Sequence, residues 1–181
     1  LNVKLPYCVN GVLRGSKTGY KTTQEFFTTI PNGAVNLYLT PIKYFNYTVV
    51  KHTLNNNVLS AARPLDSNEK AFITIKNYVN NSLMHETWGG WPPEKGVNVQ
   101  PLELLSEGNF PYNVEIYIMN DDDIVGGYKN RWTPEWIEIK NGKHITFHTI
   151  VPSKMGDPEM LAFMSDLDKL SADTLLEPRV G

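Results

Sequence analysis

The sequence predicts an all-β chain: an antiparallel two-sheet β-sandwich of about seven to nine strands with one C-terminal amphipathic helix. Three observations carry that reading. Runs of alternating apolar and polar residues recur along the chain with turn residues between them. No alternation of helices and strands, the rhythm that builds parallel sheets, interrupts them. Apolar spacing of three and four residues takes over only past Asp157. Residues 1–152 are accordingly read as the sandwich, and 153–181 as the helix and tail packed on it or extending from it.

Taken in order, residues 1–5 alternate and read as a first strand. Residues 10–19 carry three glycines among polar neighbours and read as a loop. The Thr- and Phe-rich residues 22–30 suit a pleated surface, and Pro31-Asn32-Gly33 turns the chain. Val35, Leu37 and Leu39 make a short strand ended by Pro41. Residues 44–50 form the next strand, with Phe45, Tyr47 and Val49 on one face, and polar residues 52–66 read as a connection. Residues 71–79 alternate with Ile73 and Ile75 inward. A short strand follows within 97–105.

The longest alternating run starts at Asn113. Val114, Ile116 and Ile118 point one way, and Glu115, Tyr117 and Met119 the other. Further on, Ile137 and Ile139, then Ile145, Phe147 and Thr149, read as a hairpin about Asn141-Gly142. A three-residue loop, Lys140-Asn141-Gly142, would pair Ile137 with Ile145 and Glu138 with His144, keeping apolar against apolar. At the end, Asp157 is placed to cap a helix, with Pro158 and Glu159 in its first turn. Met160, Phe163, Met164 and Leu167 form its apolar stripe. That stripe either covers an open end of the sandwich or docks on a partner chain.

A length of 181 residues suits one well-buried domain. With 20% charged and 41% hydrophobic residues the composition is that of a globular protein. A net charge of −2 argues against nucleic acid as a partner, because phosphates need a concentrated basic surface. No apolar run approaches membrane-spanning length. The chain starts at Leu1 without a recognisable signal peptide, which fits a processed or truncated product. Cys8 is the one cysteine, so no intrachain disulfide or cysteine metal cluster forms.

Catalytic patterns are absent. His144 and His148 share a strand face roughly 13 Å apart, too far to bind one metal from a regular strand. They are read as solvent-facing, one of them paired with Glu138. A third ligand from His52, His85, Glu86 or Glu138 falls at no recognised spacing, so neither metal nor cofactor is expected. Residues 120–123 (NDDD) read as a solvated acidic turn. No Gly-x-Ser-x-Gly elbow exists, and Gly126-Gly127 lacks the lysine of a phosphate loop.

The aromatic residues are more telling. Trp88-Gly-Gly-Trp91-Pro-Pro and Trp132-Thr-Pro-Glu-Trp136 place four indoles in predicted loops or strand entries, with Tyr128 nearby. An indole there either plugs a core or stacks on a ligand such as a sugar ring or lipid headgroup. The sequence-level expectation is a non-enzymatic recognition module for a carbohydrate or membrane-surface ligand, using Trp88, Trp91, Trp132, Trp136 and Tyr128. Such a ligand implies a secreted, cell-surface or periplasmic setting. The alternatives are a structural subunit of a larger assembly such as a virion, phage tail or secretion apparatus, and a carboxylate-based hydrolase. No motif assigns the chain to a family.

Overall fold

The computed structural model describes residues 7–29, 34–93, 98–153, 156–174 and 176–181. Strand accounts for 52% of the chain and helix for 13%, so the all-β class holds. Strands β1 (Gly11–Gly15) and β2 (Thr23–Phe27) pair as a separate two-stranded sheet. The main sheet contains β3 (Ile42–Asn55), β4 (Val58–Leu59), β5 (Arg63–Pro64), β6 (Glu69–Val79) and β7 (Ser82–Trp91). It also contains β8 (Leu102–Leu105), β9 (Tyr112–Asn120), β10 (Asp123–Trp132), β11 (His144–Pro152) and β12 (Arg179–Val180). Helix α1 (Trp136–Asn141) precedes β11, and α2 (Asp157–Ser165) and α3 (Leu167–Asp173) follow it.

The principal strand order is β4-β3-β11-β10-β9-β6-β7. Strand β8 ties its two ends together. It pairs with the start of β3, from Ile42↔Leu105 to Phe45↔Leu102. On its other side Glu103 N donates to Thr87 Oγ1 of β7 at 3.2 Å, and His85 Nε2 lies 2.7 Å from the Glu103 carbonyl oxygen. The sheet therefore curls around its main core. Phe45, Tyr47 and Val49 meet Ile73, Ile75, Val114, Ile116, Ile118, Ile145 and Phe147 there, the inward sets that alternation identifies. Each such aliphatic or aromatic side chain contributes roughly 1.5–3 kcal/mol on burial.

Among the described residues, antiparallel pairing has one exception. β3 and β11 run parallel from His144↔Asn46 to Pro152↔Leu54. A parallel neighbour requires a long crossover, and here the connection is most of the sheet itself.

Several elements differ from the sequence expectation. The strand and hairpin expected at Ile137 and Ile139 are absent, because Trp136–Asn141 is helical. Pro134 lies just ahead of that helix. Glu138 turns back so that its carboxylate accepts from Glu135 N at 3.0 Å, and Ile139 is the residue α1 buries. The chain at 10–19 contains β1 rather than only a loop, and 52–66 contains the end of β3 with β4 and β5. Among the described residues, 34–40 form no regular strand. Residues 1–5 and Pro31-Asn32-Gly33 lie outside the described residues.

Two of the hairpins turn on asparagine pairs. Asn56-Asn57 (φ +48°, +63°) joins β3 to β4, and Asn80-Asn81 (φ +49°, +62°) joins β6 to β7. Asparagine tolerates the left-handed region, and two such residues in succession give the primed turn that matches strand twist. The acidic segment is a turn of the same length, Asp121-Asp122 between β9 and β10, with Asp121 at φ +53°.

The expected single C-terminal helix is two, broken at Asp166. Its cap differs as well: Gly156 occupies the capping position, and its N–H donates to Glu159 Oε2 at 3.0 Å. Phe163 and Leu167 are buried against Ile150, with Met160, Met164 and Leu170 packed beside them and Tyr117, Leu54, Leu59 and Leu176 completing the cluster. The stripe offered for a partner thus lies on this chain's own sheet. After α3 the chain returns to pair β12 with β11, and Gly181 O accepts from His144 N at 3.0 Å. No helix among the described residues is long and apolar enough to cross a membrane.

Candidate functional site: a groove at the open edge of β7

Strand β7 alternates His85, Thr87 and Gly89 inward with Met84, Glu86 and Trp88 outward. The Trp-Gly-Gly-Trp stretch is therefore the end of an edge strand rather than a loop. Gly89 has a definite role. A Cβ there would stand 2.8 Å from Tyr47 Cζ and 3.2 Å from Leu102 Cδ2. Without one, Tyr47 reaches the edge and its hydroxyl donates to Gly90 O at 2.9 Å. Burial pushes the Tyr47 phenol above its ordinary value, with the Gly90 hydrogen bond opposing the shift, so the hydroxyl keeps its proton as donor.

Trp91 packs on the Tyr47 ring, centroids 6.1 Å apart, and closes the core edge. Trp88 faces the other way and is 66% exposed. On β6, Phe72 is also exposed; it stands opposite Gly90 on one side and Tyr117 on the other. Gly90 presents no side chain, so the space over Phe72 stays open. The result is a groove of about 250 Å³ that straddles the strand edge. Trp88, Trp91, Phe72 and Tyr47 supply its aromatic walls, and Pro92-Pro93 its end. Lys70, Asn98 and Gln100 supply polar groups. Flat apolar walls with a few hydrogen-bonding groups suit a ring-shaped polar ligand.

The other predicted ligand residues are elsewhere. Trp132 is 3% exposed and stacks with Tyr112, centroids 6.0 Å apart, as a core plug. Tyr128 is 1% exposed, and burial pushes its phenol up to about 12. Neither presents a surface to a ligand, because β10 directs both into the core. Trp136 begins α1 outside the groove, where the Lys140 ammonium lies 4.9 Å from its ring centroid. Trp88 and Trp91 are the two predicted residues brought together. Phe72, Lys70, Tyr47, Asn98 and Gln100 were not anticipated. One signal for Phe72 was available: with Ile73 and Ile75 inward, alternation puts Phe72 in solvent.

The histidines depart from expectation as well. His144 Nε2 lies 3.1 Å from Thr48 Oγ1, and the Glu138 carboxylate is occupied at its helix start, so the expected His–Glu pair does not form. His148 Nδ1 is 3.0 Å from Nε2 of buried His52, whose Nδ1 is 2.9 Å from Ser60 O. A carbonyl only accepts, so His52 Nδ1 carries a proton. In the neutral pair, His52 Nε2 then accepts from His148 Nδ1–H. His148 Nε2 is buried with no hydrogen-bond partner among the described residues. Burial first, then the neighbouring His52 and Arg179, lowers the His148 pKa. Among the described residues no group of three His, Cys, Asp or Glu is placed to hold a metal ion.

A second cavity, about 380 Å³, lies between β7 and the segment at Tyr20 to Thr22. Two of its polar side chains are engaged: Glu86 pairs with Lys76 at 3.3 Å, and His85 is tied to the Glu103 backbone. Comparison with protein-family models, with curated proteins and with solved structures gave no match.

Proposed function

We propose that this chain is a non-enzymatic recognition module whose rolled, sandwich-like sheet presents the Trp88–Trp91 groove to a carbohydrate. One observation carries the reading: an indole left 66% exposed on a regular strand, beside a groove with further aromatic walls. Exposed indole surface is unfavourable in water, and a sugar ring stacked on it removes that surface while Asn98 and Gln100 meet its hydroxyls. A membrane surface is the weaker form of this reading, because the patch is a concave groove with amides at its rim. A glycan ligand also places the module outside the cytoplasm, secreted, periplasmic or on a cell surface.

The test pairs two variants on a glycan array with urea titrations alongside. Trp88→Ala abolishes binding and leaves the urea midpoint unchanged. Trp132→Ala lowers stability by about 3–5 kcal/mol, the cost of emptying a buried indole site. Retained binding in a folded Trp88→Ala protein overturns the proposal.

A second reading, a subunit of a larger assembly, is favoured by the β1–β2 hairpin. It is a separate two-stranded sheet in which exposed Val12 and Phe26 sit directly opposite one another. Its mark is a stable oligomer in light scattering.

A further inference from the structure

We propose that the groove selects an acidic sugar, one carrying a carboxylate as a uronic acid does, and that Lys70 is the residue that selects it. The inference rests on the carbohydrate reading of the groove and adds the charge of its ligand. Lys70 lines the groove, and no Asp or Glu is among the described residues that do. Its situation differs from that of three other lysines on the sheet, while Lys43, also without a carboxylate, donates to the Lys140 carbonyl oxygen at 2.5 Å and lies outside the groove. Lys76 pairs with Glu86 at 3.3 Å, Lys129 with Glu115 at 3.7 Å, and Lys51 with Asp66 at 2.7 Å and with Glu69. Among the described residues Lys70 has no carboxylate partner; across the strand it meets Met119, and it is exposed.

The spacing suits a single sugar residue. Lys70 and Phe72 are two apart on the outer face of β6, a separation of roughly 7 Å. Trp88 stands level with Thr74, on the far side of Phe72 from Lys70, so a pyranose lying over Phe72 would be walled by Trp88 at one end and would turn a ring carboxylate toward the Lys70 ammonium at the other. An unpaired cation beside an apolar wall is a poor neighbour for an uncharged ligand. For a carboxylate it supplies a charge-assisted hydrogen bond. A neutral sugar offers Lys70 only hydroxyl acceptors, without that charge assistance.

Calorimetric titration of the full chain tests this, using short oligogalacturonates, oligomannuronates and hyaluronan oligomers, each beside its methyl-esterified, uncharged counterpart. The expected result is binding of at least one acidic oligomer, about tenfold tighter than its ester. That preference weakens as salt rises. Lys70→Gln removes the preference while keeping the parent urea midpoint, since the side chain is exposed. Equal binding of acid and ester, unchanged in Lys70→Gln, overturns the acidic assignment and leaves the groove reading standing. Failure of both acidic and neutral oligomers to bind the parent overturns both.

Discussion

Lys51 offers the sharpest check on the packing described above. Its side chain is 1% exposed inside the rolled sheet, where its ammonium contacts the Glu69 carboxylate, itself 7% exposed, and Asp66 Oδ2 at 2.7 Å. Glu69 holds one further bond, from Asp66 N at 2.7 Å. Asp66 is more than half exposed, and its pKa is held low by the hydrogen bond and charge of Lys51. Lys51→Met keeps the side-chain volume but strands the buried Glu69 charge, a loss of about 3–5 kcal/mol in comparable pairs. The surviving Asp66 N–H bond puts this case near the lower end, about 3 kcal/mol, or about 6–12 °C in Tm for a chain of this size. Removing both charges, Lys51→Met with Glu69→Leu, returns the protein to within about 1 kcal/mol of the parent. Asp66→Asn has a small effect, because water solvates what remains. Urea titrations with unchanged slope and shifted midpoint measure all of these. If Lys51→Met stays within about 1 kcal/mol of the parent, or the double variant is no better than the single, the buried-pair reasoning fails.

Two further outcomes follow from particular contacts. His148 titrates below its ordinary value in the folded protein, so the unfolded chain binds more protons in the interval below about pH 6.5. Stability is therefore full above that pH and is lost as pH falls toward the lowered native value. Urea midpoints across this range show the slope, and His148→Gln flattens it; an unchanged slope in that variant would remove His148 as the cause. At the edge strand, Gly89→Ala drives a Cβ into Tyr47 and costs about 1–3 kcal/mol. Gly90→Ala, whose Cβ would come no closer than 4.0 Å to Ala71 O, stays within about 0.5 kcal/mol by the same urea assay.

Local pattern alone identified several strands of the core, though not β7 or β10. Val114, Ile116 and Ile118, and Ile73 and Ile75, are inward in the structure for the reason alternation gives: successive side chains leave a strand on opposite faces. It also placed Phe45, Tyr47 and Val49 on one face and marked the C-terminal stripe. The asparagine doublets at 56–57 and 80–81 were legible as hairpin turns in principle, since their signal is local. Segment 136–141 was ambiguous because Ile137 and Ile139 fit a strand by spacing, whereas the helix follows from what Glu138 and Ile139 meet at either side. Which neighbour each strand takes is a different kind of fact. The parallel β3–β11 pair, the bridge that β8 makes to β7, and the meeting of His52 with His148 join residues far apart in the chain. No period encodes those contacts. The groove belongs with them: an exposed Trp88 and a core-edge Trp91 could be told apart only once Gly89 had admitted Tyr47 to the strand edge. Sequence fixes which face a side chain takes; burial depends on what the rest of the chain brings to that face.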